Sequence, residues 1–413
     1  MKRFLGFVVL VAVMAQASMI GLDALGEEQV VGGSAAAAGR GFAGGAKTGE
    51  AEGLSVVNPA RMAFDTKVVF NLNFLMDLYN IQRHGEDFFT KTISMPSFNL
   101  SFPMGDFGAI GVSLWQHYSS LVREEVSDSA SAADAKIEYN GSVYEIVPTY
   151  AVRLPYLRNI SLGASMHIVM GSMHRSLTLG PNKDAVAEDD VWATNNADIT
   201  DYVEGSWEIE HHPGYYTGSV QYRGRQSSFY FSYTTGYTLL NKLEYNFRFS
   251  EIDTLIPSKI DRHIEIPAML ATGVNYRLAK RHNVMMDLQW RVWDEDIENV
   301  AHSYDMRSIT KTQNDFVASV GYQRDGSGLY YDPLWDRVAY RAGAWYKNWY
   351  IEDVYEVGGS IGANFPLGRK GIALDLALQG GKRFSESEGN WDEVFLGIRL
   401  GLMGIGSWGQ SRR

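Results

Sequence analysis

Parity is the feature of this chain that most limits its fold. Val394, Leu396, Ile398, Leu400 and Leu402 alternate with Phe395, Gly397, Arg399 and Gly401. The same two-residue period sets Ile372, Leu374, Leu376 and Leu378 against Ala373, Asp375, Ala377 and Gln379. It also sets Val284, Met286, Leu288, Trp290 and Val292 against Met285, Asp287, Gln289 and Arg291. Successive side chains of a strand point to opposite faces, so each segment has one apolar face and one small, polar or charged face. Each segment is about ten residues long, which suits a tilted strand crossing a bilayer.

A soluble sandwich alternates as well, so the connections decide between the two. Template counting gives about fourteen strands, starting near Lys67, Ser94, Ala109, Val143, Asn159, Tyr215, Ser227, Ile264, Asn283, Asp315, Arg337, Tyr355, Gly371 and Trp391. Long polar loops are expected at 77–92, 120–141, 180–205, 251–263 and 294–314, and tight turns at 105–106, 155–158, 224–226, 279–282 and 367–370. Short turns on one side and long loops on the other are the pattern of an outer-membrane barrel. Two connections break it: 325–336 is long for a turn and 350–354 short for a loop. An even strand number returns both ends to one side, and closure removes the sheet edges that lipid cannot hydrate. The expected fold class is therefore all-β: a membrane-spanning antiparallel barrel at 67–404, preceded by a distinct segment at 18–66.

Composition narrows the function classes. There are 37 Lys+Arg against 48 Asp+Glu, a net charge of −11, which argues against a nucleic-acid binder. No cysteine is present, so a disulfide scaffold, a thiolate zinc site and a cysteine nucleophile are excluded. The 42 glycines and the aromatic enrichment, beside only 11 prolines, favour strands and turns. Lys2 and Arg3 precede an apolar run from 4 to 14 that is too short to span a bilayer, and Ala15-Gln16-Ala17 fits a signal-peptidase site. Residues 1–17 read as a signal peptide cleaved before Ser18, which sends the protein out of the cytoplasm to the bacterial outer membrane.

The stretch before the first strand is unlike the barrel. Residues 34–46 are almost entirely small, then a spacer ends in Leu54-Ser55-Val56-Val57, followed by Asn58-Pro59-Ala60. Small residues and glycines allow close backbone packing, and Asn before Pro favours a turn. The Gly39–Ala46 run, the spacer and Asn58-Pro59-Ala60 resemble the N-terminal hatch of FadL-type outer-membrane transporters, which carry long-chain fatty acids and other hydrophobic compounds. Ile266-Pro267 before Leu270-Ala271-Thr272-Gly273, the segment from Met286 to Trp293, and Tyr340-Arg341-Ala342-Gly343-Ala344-Trp345-Tyr346 resemble barrel strands of that family.

The resemblance implies a fourteen-stranded barrel plugged by a hatch that includes Gly39, Arg40, Gly41, Gly44, Gly45, Asn58, Pro59 and Ala60. It implies capture of a hydrophobic small-molecule substrate by apolar residues such as Leu75, Leu78, Phe88 and Phe89, and passive diffusion without a cofactor. It further implies sideways exit into the outer-membrane lipid through a bend in the third strand, where Gly108 and Gly111 stand. FadL-like barrels also include PorV-like members, which hold secreted proteins at the surface in type IX secretion. A secreted-protein partner, or a purely structural barrel, is therefore the alternative reading.

Other local features are weaker. His211 and His212 with His174 suggest a metal, but adjacent histidines on a strand project oppositely. Glu188, Asp189, Asp190, Asp198 and Asp201 lack the spacing of a calcium loop and read as a solvated loop. Parity puts Asp287, Arg291, Arg341, Asp375 and Arg399 inside the barrel, either as ion pairs bracing the plug or as partners for a substrate carboxylate. No spacing supports a Ser/His/Asp triad, so the chain reads as a non-enzyme without metal or cofactor. Trp408 is followed by Gly409-Gln410-Ser411-Arg412-Arg413, a basic tail at 405–413 in place of the terminal aromatic that barrel-assembly machinery recognises in many barrels.

Overall fold

A computed structural model of the chain describes residues 27–29, 34–49, 54–83, 86–126, 133–181, 201–209, 214–249, 252–293, 312–329, 331–367, 371–385 and 391–406. The signal segment at 1–17, most of the basic tail, His211, His212, Glu188, Asp189, Asp190 and Asp198 lie outside these residues.

The described residues form strands β1 (Glu27–Glu28), β2 (Val68–Arg83), β3 (Glu86–Pro103), β4 (Ala109–Val126), β5 (Ala133–Arg153) and β6 (Ile160–Pro181). Next come β7 (Asp201–Ile209), β8 (Tyr215–Arg223), β9 (Ser227–Thr234), β10 (Tyr237–Phe249), β11 (Ile252–Ile266) and β12 (Met269–Ala279). The last are β13 (His282–Arg291), β14 (Asp315–Arg324), β15 (Ala339–Asn348), β16 (Val354–Leu367), β17 (Ile372–Ser385) and β18 (Trp391–Gly406).

The pairing closes on itself, because β18 runs antiparallel to β2 over its whole length, from Trp391↔Arg83 to Gly406↔Val68. Three barrel strands are interrupted. β6 pairs β8 along its first half and β7 along its second. Likewise, β9 and β10 pair β12 and β11 in turn, so these four segments form two long strands. Counting each interrupted strand once gives a closed antiparallel ring of fourteen, with β1 as an additional strand against β4. Pro267, which cannot donate to a ladder, stands in the break between β11 and β12. Gly214, with φ +93°, stands just before β8.

Each of the fourteen expected starts lies on this ring or within two residues of one of its strands, but three of the long loops are shorter than expected. The β2–β3 ladder continues to Arg83↔Glu86, β4–β5 to Val126↔Ala135, and β10–β11 to Phe249↔Ile252. Apolar alternation fades in these hairpins while the backbone ladder persists, since hydrogen bonding needs no particular side chain. At the end holding the start of β2, residues 325–338 carry the short helix α2 (Leu334–Arg337), tied back by Ser327 N–H donating to Asp336 O at 2.8 Å. At the opposite end the chain between β15 and β16 reverses tightly, with Asp353 at φ +60°.

Burial is inverted relative to a water-soluble protein. Outward residues such as Val220, Phe231, Val284, Ile361, Val394 and Leu402 are exposed, while Asn73, Ser113, Glu145, Ser161, Gln221 and Arg399 are buried. Monomeric soluble proteins rarely expose apolar surface on this scale.

Residues 34–49 and 54–64 fill space against those inward faces. Ser34 caps helix α1 (Ala35–Ala38), its Oγ accepting from Ala37 N–H at 3.1 Å, and Ala35 N–H donates to Asn73 Oδ1 at 2.9 Å. Small residues are needed here because backbone meets backbone. A Cβ on Gly343 would collide with Arg40 and Gly41, and Gly41 itself sits at φ +64°. A 3-10 turn at Pro59–Phe64 is wholly buried, with Ala60 N–H donating to Ser219 Oγ at 2.8 Å. Leu54, Val56, Val57 and Met62 pack there with Trp115, Tyr230 and Met269. A second cluster joins Phe42 to Tyr79, Trp345, Trp349, Trp391 and Phe395.

Candidate functional site

One seam of the barrel is not fully zipped. β3 and β4 pair only from Pro103↔Ala109 to Ser97↔Trp115, although both strands continue well beyond that point. The next residue on β3 is Pro96, which has no N–H to give. The β2–β3 register shifts alongside it, between Asn73 and Leu75. On the other side, the β4–β5 register shifts between Gln116 and Tyr118, so His117 is the extra residue of a bulge. Inward–outward alternation stops there, and the five residues 115–119 are all buried. β1 lies on this freed edge, with Glu28 opposite Tyr118, Glu27 opposite Ser119, and Gln29 N–H donating to His117 O at 2.8 Å.

Beside the bulge lies a narrow interior cavity in two adjoining parts, sharing Val57, Trp115, Met269 and Arg291 as walls. Aromatic rings form much of its lining. Trp115 stacks on His117 with centroids 4.4 Å apart, His167 on Tyr215 at 4.2 Å, and Tyr215 on Tyr237 at 4.1 Å. The fully buried Glu145 organises these rings. Its carboxylate takes Tyr215 O–H at 2.7 Å, His117 Nδ1 at 2.5 Å and His167 Nδ1 at 2.8 Å. An ionised carboxylate only accepts, so both imidazoles present Nδ1–H to it. His167 Nε2 continues the chain to Thr217 Oγ1 at 2.9 Å.

Two carboxylates of β1 reach across to cations on the far wall. Glu28 Oε1 lies 2.5 Å from Arg291 Nη1, and Oε2 lies 3.0 Å from Lys347 Nζ. Glu27 Oε1 lies 2.5 Å from Arg383 Nη2, whose guanidinium also meets Glu356 at 2.6 Å and Glu393 at 2.7 Å. The Lys347 ammonium stands 3.5 Å from the centre of the Trp349 ring, a cation–π contact. Burial alone would raise the Glu28 carboxyl, but Arg291, Lys347 and His117 outweigh it and hold the group well below its usual 4.5.

The residues singled out from the sequence are placed as follows. Asp287 Oδ2 accepts Gly44 N–H at 2.6 Å and Gly45 N–H at 2.7 Å. Arg40 Nη1 donates to Gln323 Oε1 at 2.9 Å, and Gly41 N–H to Ser360 Oγ at 2.9 Å. Asn58 Nδ2 donates to Gly45 O at 2.9 Å and Gln221 Oε1 at 2.7 Å. Arg341 pairs with Asp375, Arg291 with Asp315 at 3.0 Å, and Arg399 Nε donates to Gln379 Oε1 at 3.1 Å. All five inward charges thus have protein partners.

Other expectations land differently. Leu75 is buried inward on β2, whereas Leu78 points the other way and Phe89 is 65% exposed, so these residues do not form one cluster. Phe88 lies in β3, its side chain outside the described residues, and the same holds for Asp201 in β7. His174 is exposed on β6. Gly108, at φ +98°, ends the turn before β4, and Gly111 lies within the intact β3–β4 ladder opposite Ser101. The discontinuity lies further along the same strand, at the His117 bulge. His117, Glu145 and His167 escaped the sequence reading although Glu145 and His167 sit on the inward parity of β5 and β6. Glu27 and Glu28 carried no signal at all.

The sequence profile of the BamG family matches residues 34–413, nearly the whole chain. The chain belongs to the BamG family. No curated protein matches this BamG-family chain in sequence. Its fold is that of FadL-like channels. A FadL homologue of Pseudomonas aeruginosa superposes with a TM-score of 0.61 at 15% identity, covering 93% of this chain and 100% of the other. The toluene transporter TodX of Pseudomonas putida gives 0.59 at 14% identity, covering 94% and 100%. CymD, a monoaromatic hydrocarbon channel, gives 0.57 at 15% identity, covering 93% and 100%.

Proposed function

We propose that this protein is an outer-membrane conduit through which small hydrophobic molecules pass by diffusion, with residues 18–66 of the mature chain as its hatch. One observation carries this reading: a barrel with an apolar exterior encloses an aromatic cavity that adjoins an unzipped seam. An apolar outer face against a polar lining is what lipid outside and a hydrated lumen inside require. A hydrophobic solute entering from the end opposite the termini meets exposed Phe89 and then the aromatic walls at Trp115 and Tyr215. The seam between β3 and β4 gives it a sideways route into lipid once β1, the part of the hatch that covers this edge, moves aside. The edge left by the bulge is covered by β1, which limits the number of backbone groups facing hydrocarbon without a partner.

The remaining assignments follow from this reading. Residues 1–17 are removed on export, 67–404 span the membrane, and 405–413 form a short tail, with folding dependent on barrel-assembly machinery. Asp287, Arg291, Arg341, Asp375 and Arg399 brace the hatch and lumen, and no cofactor or catalytic group takes part. The FadL-like fold, with TodX and CymD as channels for aromatic hydrocarbons, supports a hydrophobic cargo.

Native mass spectrometry of protein extracted from its membrane in mild detergent tests the proposal. The expected result is a bound hydrophobic small molecule that excess added hydrophobe displaces. A stoichiometric secreted polypeptide bound to a barrel with an empty cavity would overturn it in favour of a PorV-like role.

A further inference from the structure

In the part of the cavity that Glu28 lines, the acidic and basic side chains are balanced. The lining contains two cations, Arg291 and Lys347, and two carboxylates, Glu28 and Asp315. Both oxygens of Glu28 are engaged, Oε1 by Arg291 and Oε2 by Lys347, so one carboxylate bridges the two cations. Asp315 reaches only Arg291, at 3.0 Å. Removing Glu28 therefore leaves two cations facing one carboxylate. Crucially, Glu28 does not belong to the barrel wall: it is delivered by β1 from the N-terminal segment.

A fatty-acid carboxylate entering this cavity would seek the same donors in the same geometry. It would have to displace Glu28 or be buried as an uncompensated charge, which a low-dielectric site penalises heavily. Beside the second oxygen of Asp315, which has no hydrogen-bond partner among the described residues, the cavity still offers neutral donors. The Trp115 indole N–H and the Tyr237 hydroxyl are buried with no hydrogen-bond partner among the described residues, and both residues line the cavity. Each can donate one hydrogen bond to an uncharged acceptor.

We propose that Glu28 is a built-in counter-anion that sets the cargo class, admitting uncharged molecules with an apolar body and excluding carboxylates. This inference rests on the conduit reading and names its cargo. The N-terminal segment thus selects for charge, in addition to blocking the lumen.

The test uses a matched pair, 1-octanol and octanoate, which share a chain and differ in the charge of the head. Binding is read by quenching of tryptophan fluorescence on the full-length protein in nanodiscs, for wild type, Glu28→Ala, Glu28→Gln and the double variant Glu28→Ala with Lys347→Met. Circular dichroism and heat-modifiable gel migration confirm that each barrel is folded. Wild type should bind octanol and bind octanoate at least about tenfold more weakly. Glu28→Ala and Glu28→Gln should gain octanoate affinity by about tenfold or more, and Lys347→Met should reverse the gain. Equal wild-type affinity for both ligands, or a folded Glu28→Ala with no gain, would overturn the inference. If wild type bound neither ligand while Glu28→Ala gained octanoate, the counter-anion role would stand and the conduit reading would fall.

Discussion

Asn58 shows how one residue ties the N-terminal segment both to itself and to the wall. Its amide donates to Gly45 O, in a part-buried bond, and to Gln221 Oε1, in a buried one. Asn58→Ala leaves both acceptors unpaired, and each such loss costs roughly 1–3 kcal/mol. The expected result is a segment that proteases cut faster, on a barrel whose circular dichroism is unchanged. Unchanged cleavage would remove Asn58 from this role. Asn58 was legible because Asn-Pro-Ala is a compact turn signal. Glu28 was not, because its partners Arg291 and Lys347 lie 263 and 319 positions away and an isolated acidic pair in a leader looks solvated. A carboxyl whose folded value is depressed adds stability above its unfolded value and loses it only as pH falls through the folded one. With Glu28 held well below 4.5, docking of β1 should not change between neutral pH and about pH 5. Limited proteolysis at the two pH values measures this, and rapid release at the lower one would contradict the charge assignment.

Among the elements, the β3–β4 seam was the hardest to read. The sequence pointed to Gly108 and Gly111, yet glycine permits a bend without imposing one, and the ladder runs unbroken past Gly111. Pro96 and the extra residue His117 impose the break, by removing a donor and by shifting register. Pro96→Val restores the donor and should lengthen the β3–β4 pairing. Hydrogen exchange at 116–119 should then slow, and uptake of a neutral hydrophobe should fall; faster exchange with unchanged uptake would separate the seam from transport. Gly343→Ala acts on the other contact of the segment, where a Cβ would meet the backbone of Arg40 and Gly41. Overpacking of this kind costs about 1–3 kcal/mol. It should loosen residues 34–49 to proteolysis while leaving β14, β15 and β16 paired; unaltered protection would show that the close approach is dispensable.

Across the whole molecule, parity was the readable part. Alternation in β13, β17 and β18 gave each face its character, and the structure turns the apolar side outward and the polar side inward. The strand number followed from the same signal. The interruptions at β7–β8, β9–β10 and β11–β12 did not, since polar segments continuing a ladder look like loops in a one-dimensional pattern. The cavity was equally hidden, for it arises where β4, β6, β8 and β14 converge on β1, elements far apart in sequence. Its position is what the proposed path rests on: in that proposal cargo reaches the aromatic walls, β1 leaves the β4 edge, and the seam opens to lipid.

A reversible tether across that edge tests the path most directly. Glu27 and Ser119 are paired Cα partners. Antiparallel partners lie about 4.5–5.5 Å apart, within disulfide range. The chain has no cysteine to compete. Uptake of 1-octanol into vesicles carrying the Glu27→Cys, Ser119→Cys variant is measured oxidised and then reduced. The account predicts uptake at least about tenfold slower when the disulfide is formed, and recovery on reduction. Equal uptake in the fully oxidised and reduced protein would contradict it.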